Sequence, residues 1–273
     1  MSYLILIILG FIAGTVGSLI GLGGGIIIVP AMLYLSTMTP FFHDVTPQTA
    51  IGTSLLVIIF TGLSSTLAYM KYKTVDYKSG LIFFIGSGPG SIIGAYLSKL
   101  FNAHTVSVWF GLFMILISIT LMLKAKAKPL NKAHKGMIRT YEDESGELYT
   151  YSYRIFTGIV IAFFVGLLGG LFGIGGGSLM VPAMMLLFLF PPKVAVATSM
   201  LIIFLSSVTG SVSHIAEGHV NWLYALCLVP GAWFGGKMGA WVNKRVQTKT
   251  IVLFMRVVLI LIGCELIYQG IFS

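Results

Sequence analysis

Charge is what this sequence has least of. Only 9% of its 273 residues are Asp, Glu, Lys or Arg, against about 25% in soluble domains. The eight acids form no pair inside an apolar run, and no HExxH occurs, which excludes the common hydrolytic metal sites and the oxygen cages of hard cations. The two cysteines, Cys227 and Cys264, stand alone in apolar segments, so there is neither a disulfide framework nor a zinc spacing. No glycine-rich stretch ends in the GK[ST] of a nucleotide-binding loop, and ATP hydrolysis by this chain is not expected. No serine or cysteine nucleophile is paired with a histidine at one depth of an apolar bundle, and Gly88-Pro-Gly-Ser91 lacks the pattern of a nucleophile elbow. An enzyme, a cofactor and a metal centre are therefore not expected.

What fills the chain is apolar sequence. Hydrophobic residues make up 57% and mean hydropathy is +0.97, more apolar surface than one water-soluble core can hide. The chain reads as an all-α polytopic membrane protein embedded in a lipid bilayer. Apolar segments run at 3–36, 48–70, 79–98, 105–123, 153–190, 193–214, 220–241 and 248–271. The first begins without a basic leader region and is expected to be retained. Tyr149-Thr-Tyr-Ser-Tyr153 and Trp222 with Tyr224 read as interfacial aromatic belts.

Inside the first segment, Gly14-Thr-Val-Gly-Ser-Leu-Ile-Gly-Leu-Gly-Gly-Gly-Ile-Ile-Ile-Val-Pro-Ala-Met32 recurs 152 residues later as Gly166 to Met184, with 11 of 19 positions identical. Each glycine weakens a helix interior by roughly 1 kcal/mol against alanine, so three in a row predict a break, at 21–25 and again at 173–177. Further on, Ala50-Ile-Gly-Thr-Ser54 resembles Val196-Ala-Thr-Ser199, and Pro89-Gly-Ser-Ile-Ile-Gly94 resembles Pro230-Gly-Ala-Trp-Phe-Gly235. The chain therefore divides into a first transmembrane repeat (1–123), a charged linker (124–152) and a second repeat (153–273), each repeat holding about four helical elements. The linker carries Lys124, Lys126, Lys128, Lys132, Lys135 and Arg139 before Glu142, Asp143, Glu144 and Glu147, and reads as a solvated connector.

The net charge of +9 is carried by Lys and Arg between apolar runs, where membrane topology already requires them, so no nucleic-acid partner is expected. If each broken segment returns to its starting face, each repeat crosses three times and the second is inverted. Fourteen loop cations then share one face, leaving Lys99 alone on the other. That distribution fits the positive-inside rule and predicts a multi-pass protein of the cell membrane with a cytoplasmic linker and outside termini.

Inverted repeats with broken helices hold substrate where the breaks meet. Three isoleucines after Gly25 favour extended backbone, and Pro30, like Pro182, suits the first position of a new helix. Such a half-helix aims its positive end at the glycine loop, whose amides form an anion-binding nest. The candidate substrate-binding residues are accordingly Gly23, Gly24 and Gly25 with Gly175, Gly176 and Gly177. Beside them stand the hydroxyls of Thr53, Ser54, Thr198 and Ser199, the one-sided Gln48, and the intramembrane cations Lys237 and Arg256. A buried cation is too costly to be idle, at about 2.5–3.5 kcal/mol. His43, Asp44, His214, Glu217 and His219 mark the connections and offer groups that titrate.

The paired motifs Gly21-Leu-Gly-Gly-Gly25…Val29-Pro30 and Gly173-Ile-Gly-Gly-Gly177…Val181-Pro182, each followed by a small-Thr-Ser segment, resemble the sulfite exporter TauE/SafE family, also called the 4-toluenesulfonate uptake permease family. The resemblance covers the chain outside the linker. It implies transport of sulfur-containing anions such as sulfite, sulfoacetate or other organosulfonates, in either direction. With no nucleotide motif, a concentration gradient or protons are expected to supply the drive, and the sequence leaves both a monomer and a homodimer open. The alternatives are a channel or transporter for a different ion such as a metal cation, and an integral-membrane enzyme.

Overall fold

In a computed structural model, which describes residues 2–38, 45–98, 103–124, 136–142, 146, 148–177 and 179–272, the apolar runs become helices. They are α1 (Ser2–Ile20), α2 (Gly25–Met38), α3 (Pro47–Lys71), α4 (Tyr77–Leu97), α5 (Ala103–Lys124), α6 (Ile155–Phe172), α7 (Met180–Leu187), α8 (Pro192–Ala216), α9 (Trp222–Arg245) and α10 (Thr248–Phe272). A hairpin of β1 (Met137–Glu142) and β2 (Leu148–Tyr153) interrupts the series between α5 and α6. Among the described residues, six helices are long and apolar enough to cross a membrane. The protein is a multi-pass, all-α membrane protein. His43, Asp44, Lys99, Lys126, Lys128, Lys132, Lys135, Asp143, Glu144 and Glu147 lie outside the described residues.

Both predicted breaks are present, between α1 and α2 and between α6 and α7. The first reverses the chain. Gly24 packs back against Ala13 and Gly14, and Met32 of α2 joins Leu6 of α1 and Tyr224 of α9 in one buried apolar cluster.

The helices pair across the two halves. Gly231, Gly235 and Gly239 of α9 press against the backbone at Ile7, Phe11 and Thr15 of α1, which fixes α1 and α9 as parallel. Gly86, Gly90 and Gly94 of α4 meet Ile159, Phe163 and Leu167 of α6 in the same way. These are small-xxx-small stripes, in which a missing side chain lets two backbones approach. In contrast, α3 and α8 run antiparallel, with Gly52 against His214 and Gly62 against Phe204, and so do α5 and α10, where Gly111 faces Gly263. Ile58 and Ile203, both fully buried, lie near the midpoints of α3 and α8.

Three sequence expectations change. Residues 26–28 are helical, not extended: the Gly24 carbonyl accepts the amides of Ile27 and Ile28 at 3.0 and 3.1 Å, so α2 begins ahead of Pro30. In the second half Pro182 does fall in the first turn of α7. The glycine stripes pair Gly86, Gly90 and Gly94 with Gly231, Gly235 and Gly239, a shift of 145 residues. Pro89 and Pro230 therefore stand one helical turn apart, and not at equivalent places. Finally, the end of the linker is not a solvated connector. It forms the hairpin, whose Tyr151 and Tyr153 are 2% and 3% exposed and pack at tilted angles among Phe83, Phe188 and Phe190.

Candidate transport site

The two glycine loops meet at the middle of the bundle. A methyl group built on Gly23 would sit 2.9 Å from Ile203 Cγ2 and 3.3 Å from Ile58 Cγ2, and one on Gly175 would sit 3.1 and 3.3 Å from the same two atoms. Gly25 in turn abuts Gly173 and Ile174 of the opposite loop. Gly23 and Gly175 have φ of +78° and +84°, a region that glycine alone enters without penalty.

Each loop is held by hydroxyls from the other half. Ser54 Oγ donates to the Gly173 carbonyl at 2.7 Å and Ser199 Oγ to the Gly21 carbonyl at 2.9 Å. Each also bonds back to its own helix, at Ile51 and Val196. Thr53 Oγ1 accepts the amide of Asn221, and Thr198 Oγ1 accepts that of Asp76, both at 3.0 Å. All four side chains are fully buried. They work as reciprocal clamps on the loops and on the starts of α4 and α9.

Amide donors remain in both loops. Gly21, Leu22 and Gly23 donate back to Ser18 and Gly17 of α1. The amides of Gly24, Gly25 and Ile26, at the start of α2, donate to no backbone carbonyl among the described residues, and the same holds for Gly175, Gly176 and Gly177. Such a cluster attracts negative charge. Ser207, absent from the sequence-level candidates, adds a hydroxyl 3.1 Å from a methyl at Gly175. Its Oγ is buried with no hydrogen-bond partner among the described residues, as are those of Ser91 and Ser211. The signal was available in the sequence: Ile203, Ser207, Ser211 and His214 fall at helical spacing on one face of α8.

The remaining candidates lie elsewhere. Gln48 is half-buried in the first turn of α3, about 15 Å along the helix from Ile58. Lys237 is exposed, with its ammonium 5.2 Å from the centre of the Trp233 ring. Arg256 donates to the Leu121 carbonyl at 2.8 Å and serves the α5–α10 pair. None of the three is brought to the glycine loops.

At the end of the bundle where α4 and α8 begin, the hairpin is fastened to Asp76. Arg139 reaches its carboxylate with Nη2 at 2.8 Å and Nε at 3.2 Å, Tyr151 donates at 2.9 Å, and Ser79 donates through Oγ at 2.6 Å and its amide at 3.2 Å. Burial pushes the Asp76 carboxyl up, but the bonds from Arg139, Ser79 and Tyr151 outweigh it and hold the group below the usual carboxylate range. Burial and the neighbouring carboxylate raise the Tyr151 phenol, which stays protonated. Tyr141 of β1 also lines a small pocket with Tyr69, Tyr72, Thr74, Lys193, Asn243 and Lys244.

A helical multi-pass chain whose two helix breaks meet at mid-bundle beside Ile58 and Ile203 has the architecture expected of a membrane transporter. The chain belongs to the sulfite exporter TauE/SafE family, whose model matches residues 6–266. It is 79% identical over 273 residues to the probable membrane transporter protein YunE of Bacillus subtilis (strain 168), with both chains covered in full. It is 28% identical over 269 residues to the probable membrane transporter protein MJ0441 of Methanocaldococcus jannaschii, covering 95% of this chain and 93% of that one. A probable membrane transporter protein of Xylella fastidiosa (strain Temecula1) is 27% identical over 239 residues, covering 87% and 84%. No solved structure matches the chain.

Proposed function

We propose that the protein is a secondary transporter of small sulfur-containing anions, sulfite or organosulfonates, which works by alternating access of two inverted repeats about the apposed glycine loops. The observation that carries this reading is the approach of both loops, at Gly23 and Gly175, to the same two methyl groups of Ile58 and Ile203, each loop bringing amides with no backbone partner among the described residues. Inversion is supported by helix direction. Antiparallel α3/α8 and α5/α10 with parallel α1/α9 and α4/α6 suit a second half turned over in the bilayer, whereas repeats of one orientation would make α3 and α8 parallel. The substrate class comes from the family description and accords with a compact oxyanion held by amides and the Ser207 hydroxyl. The fourteen-to-one division of loop cations supports a cell-membrane protein with the hairpin end cytoplasmic and the termini outside. With no nucleotide motif in the chain, the substrate gradient or protons supply the drive.

Reconstituted in proteoliposomes, the protein should carry sulfite or an organosulfonate faster than sulfate or a carboxylate, and Ser207→Ala should raise the half-saturating concentration. Equal flux of all these anions would reject the substrate assignment. Flux indifferent to an imposed pH gradient would reject proton coupling and leave transport standing.

A further inference from the structure

Among the described residues, a set of three metal-ligating side chains away from the glycine loops lies at the turn between α8 and α9. His214 stands in the last turn of α8, Glu217 caps that helix, and His219 follows Gly218, whose φ of +73° makes the reversal. Ligand atoms of the three side chains all lie within 4.8 Å of one another. His219 Nδ1 is 3.1 Å from Glu217 Oε2, and the two imidazole rings are 6.0 Å apart between centroids.

The backbone beneath them is fixed. The amides of Glu217, Gly218 and His219 bond back to Ser213, Ile215 and His214 at 3.2, 3.0 and 2.9 Å, and Gly52 of α3 packs on His214. His214 is fully buried, whereas the Glu217 and His219 side chains are 14% and 27% exposed. The group is therefore closed on the protein side and open on the other. The C-terminal end of α8 adds partial negative charge.

Ligands bound at about 2.0–2.2 Å around a tetrahedral ion lie roughly 3.4 Å apart. Side-chain rotations that shorten the longest separation by about 1.4 Å therefore complete the arrangement. Two imidazoles and one carboxylate suit zinc and its neighbours, while calcium and magnesium require more oxygen. Nor is the set a by-product of the duplication. The matching positions at the other end, 145 residues earlier, are Tyr69, Tyr72 and Thr74, which offer no such ligand set.

We propose that His214, Glu217 and His219 bind a divalent transition-metal ion of the zinc class, pinning the α8–α9 turn against α3. The test uses tag-free, chelator-treated protein in lipid nanodiscs, titrated with Zn2+ by calorimetry and with Co2+ by absorption spectroscopy. One ion should bind per chain and raise the melting temperature, with Mg2+ and Ca2+ inert. His219→Ala and Glu217→Gln, at the two partly exposed ligands, should melt like the metal-free wild type and lose at least about tenfold in zinc affinity, the effect expected even for disturbing an outer-shell partner. His134→Ala in the linker should bind as the wild type does. Undiminished zinc binding in both ligand variants, or no binding by the wild type, would overturn the assignment. Anion flux plays no part in the readout, so the proposed transport reading stands or falls separately.

Discussion

Replacing Asp76 by Asn separates two jobs that this residue performs at once. As N-cap of α4 it accepts the Ser79 amide, a task asparagine does equally well, as Asn221 does for α9 at the matching position. As the anchor of the hairpin it receives two bonds from Arg139 and one from Tyr151, and for that a neutral amide is a poor substitute. A hydrogen bond to a charged group contributes about 1.5–3 kcal/mol. The Arg139 side chain is 29% exposed and Asp76 only 3%, so the released guanidinium recovers part of that loss from water. The net effect is about 2 kcal/mol, or roughly a thirtyfold rise in hairpin opening at 1.4 kcal/mol per decade. Amide hydrogen exchange in nanodiscs should show that loss of protection in 137–142 and 148–153, with the first turn of α4 unchanged. Arg139→Gln should act similarly, and the double variant no worse than either single one. Unchanged hairpin protection in Asp76→Asn, or fully additive effects, would refute the latch. Because the folded carboxyl titrates below its unfolded value, its contribution is complete above the ordinary carboxylate range and is lost as pH falls through the depressed value. The wild-type hairpin should hold through mildly acid pH and release only in stronger acid, a dependence that Asp76→Asn abolishes.

Ser54→Ala and Ser199→Ala should each destabilise the protein by about 1–3 kcal/mol, since each strips a hydroxyl from a loop carbonyl at 2.7 or 2.9 Å. Melting curves that leave one of the two silent would contradict their matched roles. Lys237→Gln should change neither melting nor substrate dependence. Arg256→Gln should lower the melting temperature by loosening α5 from α10 while the half-saturating concentration holds, and weakened affinity at full stability would place Arg256 at the substrate. Gly90→Leu and Gly235→Leu should abolish monodisperse protein, because each drives a branched side chain into the facing backbone at Phe163 or Phe11.

The glycine breaks were legible because three glycines in apolar sequence have a physical cost that only a break explains. The duplication was legible because its first stretch repeats 11 of 19 positions, among them every residue of GxGGG and the closing VPAM. Its later register was not. α2 has 14 residues and α7 only 8, and the offset falls from 152 to 145 across the segment that contains them. A stripe of small residues at every fourth position matches itself after a slip of one turn, so Pro89 and Pro230 align in sequence without being equivalent. Which stripe meets which is a tertiary matter: nothing local to Gly235 says that it faces α1 in preference to α6. The strand was visible in the alternation of Tyr149, Tyr151 and Tyr153, a period of two, but the same residues also satisfy an interfacial belt. Thr53, Ser54, Thr198 and Ser199 were found as a symmetric set, and only coordinates distinguish a hydroxyl aimed at a ligand from one aimed at a carbonyl.

On the alternating-access reading, a bundle with matched halves must close each of its two ends in turn, and the fold supplies equivalent parts for doing so. The residues at those parts are not equivalent. Where α4 begins, a charged N-cap fastens a hairpin through Arg139 and Tyr151, and where α9 begins the cap is the neutral Asn221, beside which no strand is found among the described residues. Tyr69, whose hydroxyl donates to the Ser18 carbonyl at 2.9 Å, is answered across the molecule by His214. A pair of states related only by symmetry would be equally populated. On the same reading, the aspartate latch would stabilise closure at one end and a zinc-class ion at the other, and the difference between them would set which state prevails. Asp76→Asn and metal loading should therefore shift the balance in the same direction, measurable as altered labelling of single cysteines introduced at Tyr72 and Gln48. Labelling at the two ends that moved together, and not in opposition, would show that the ends do not alternate.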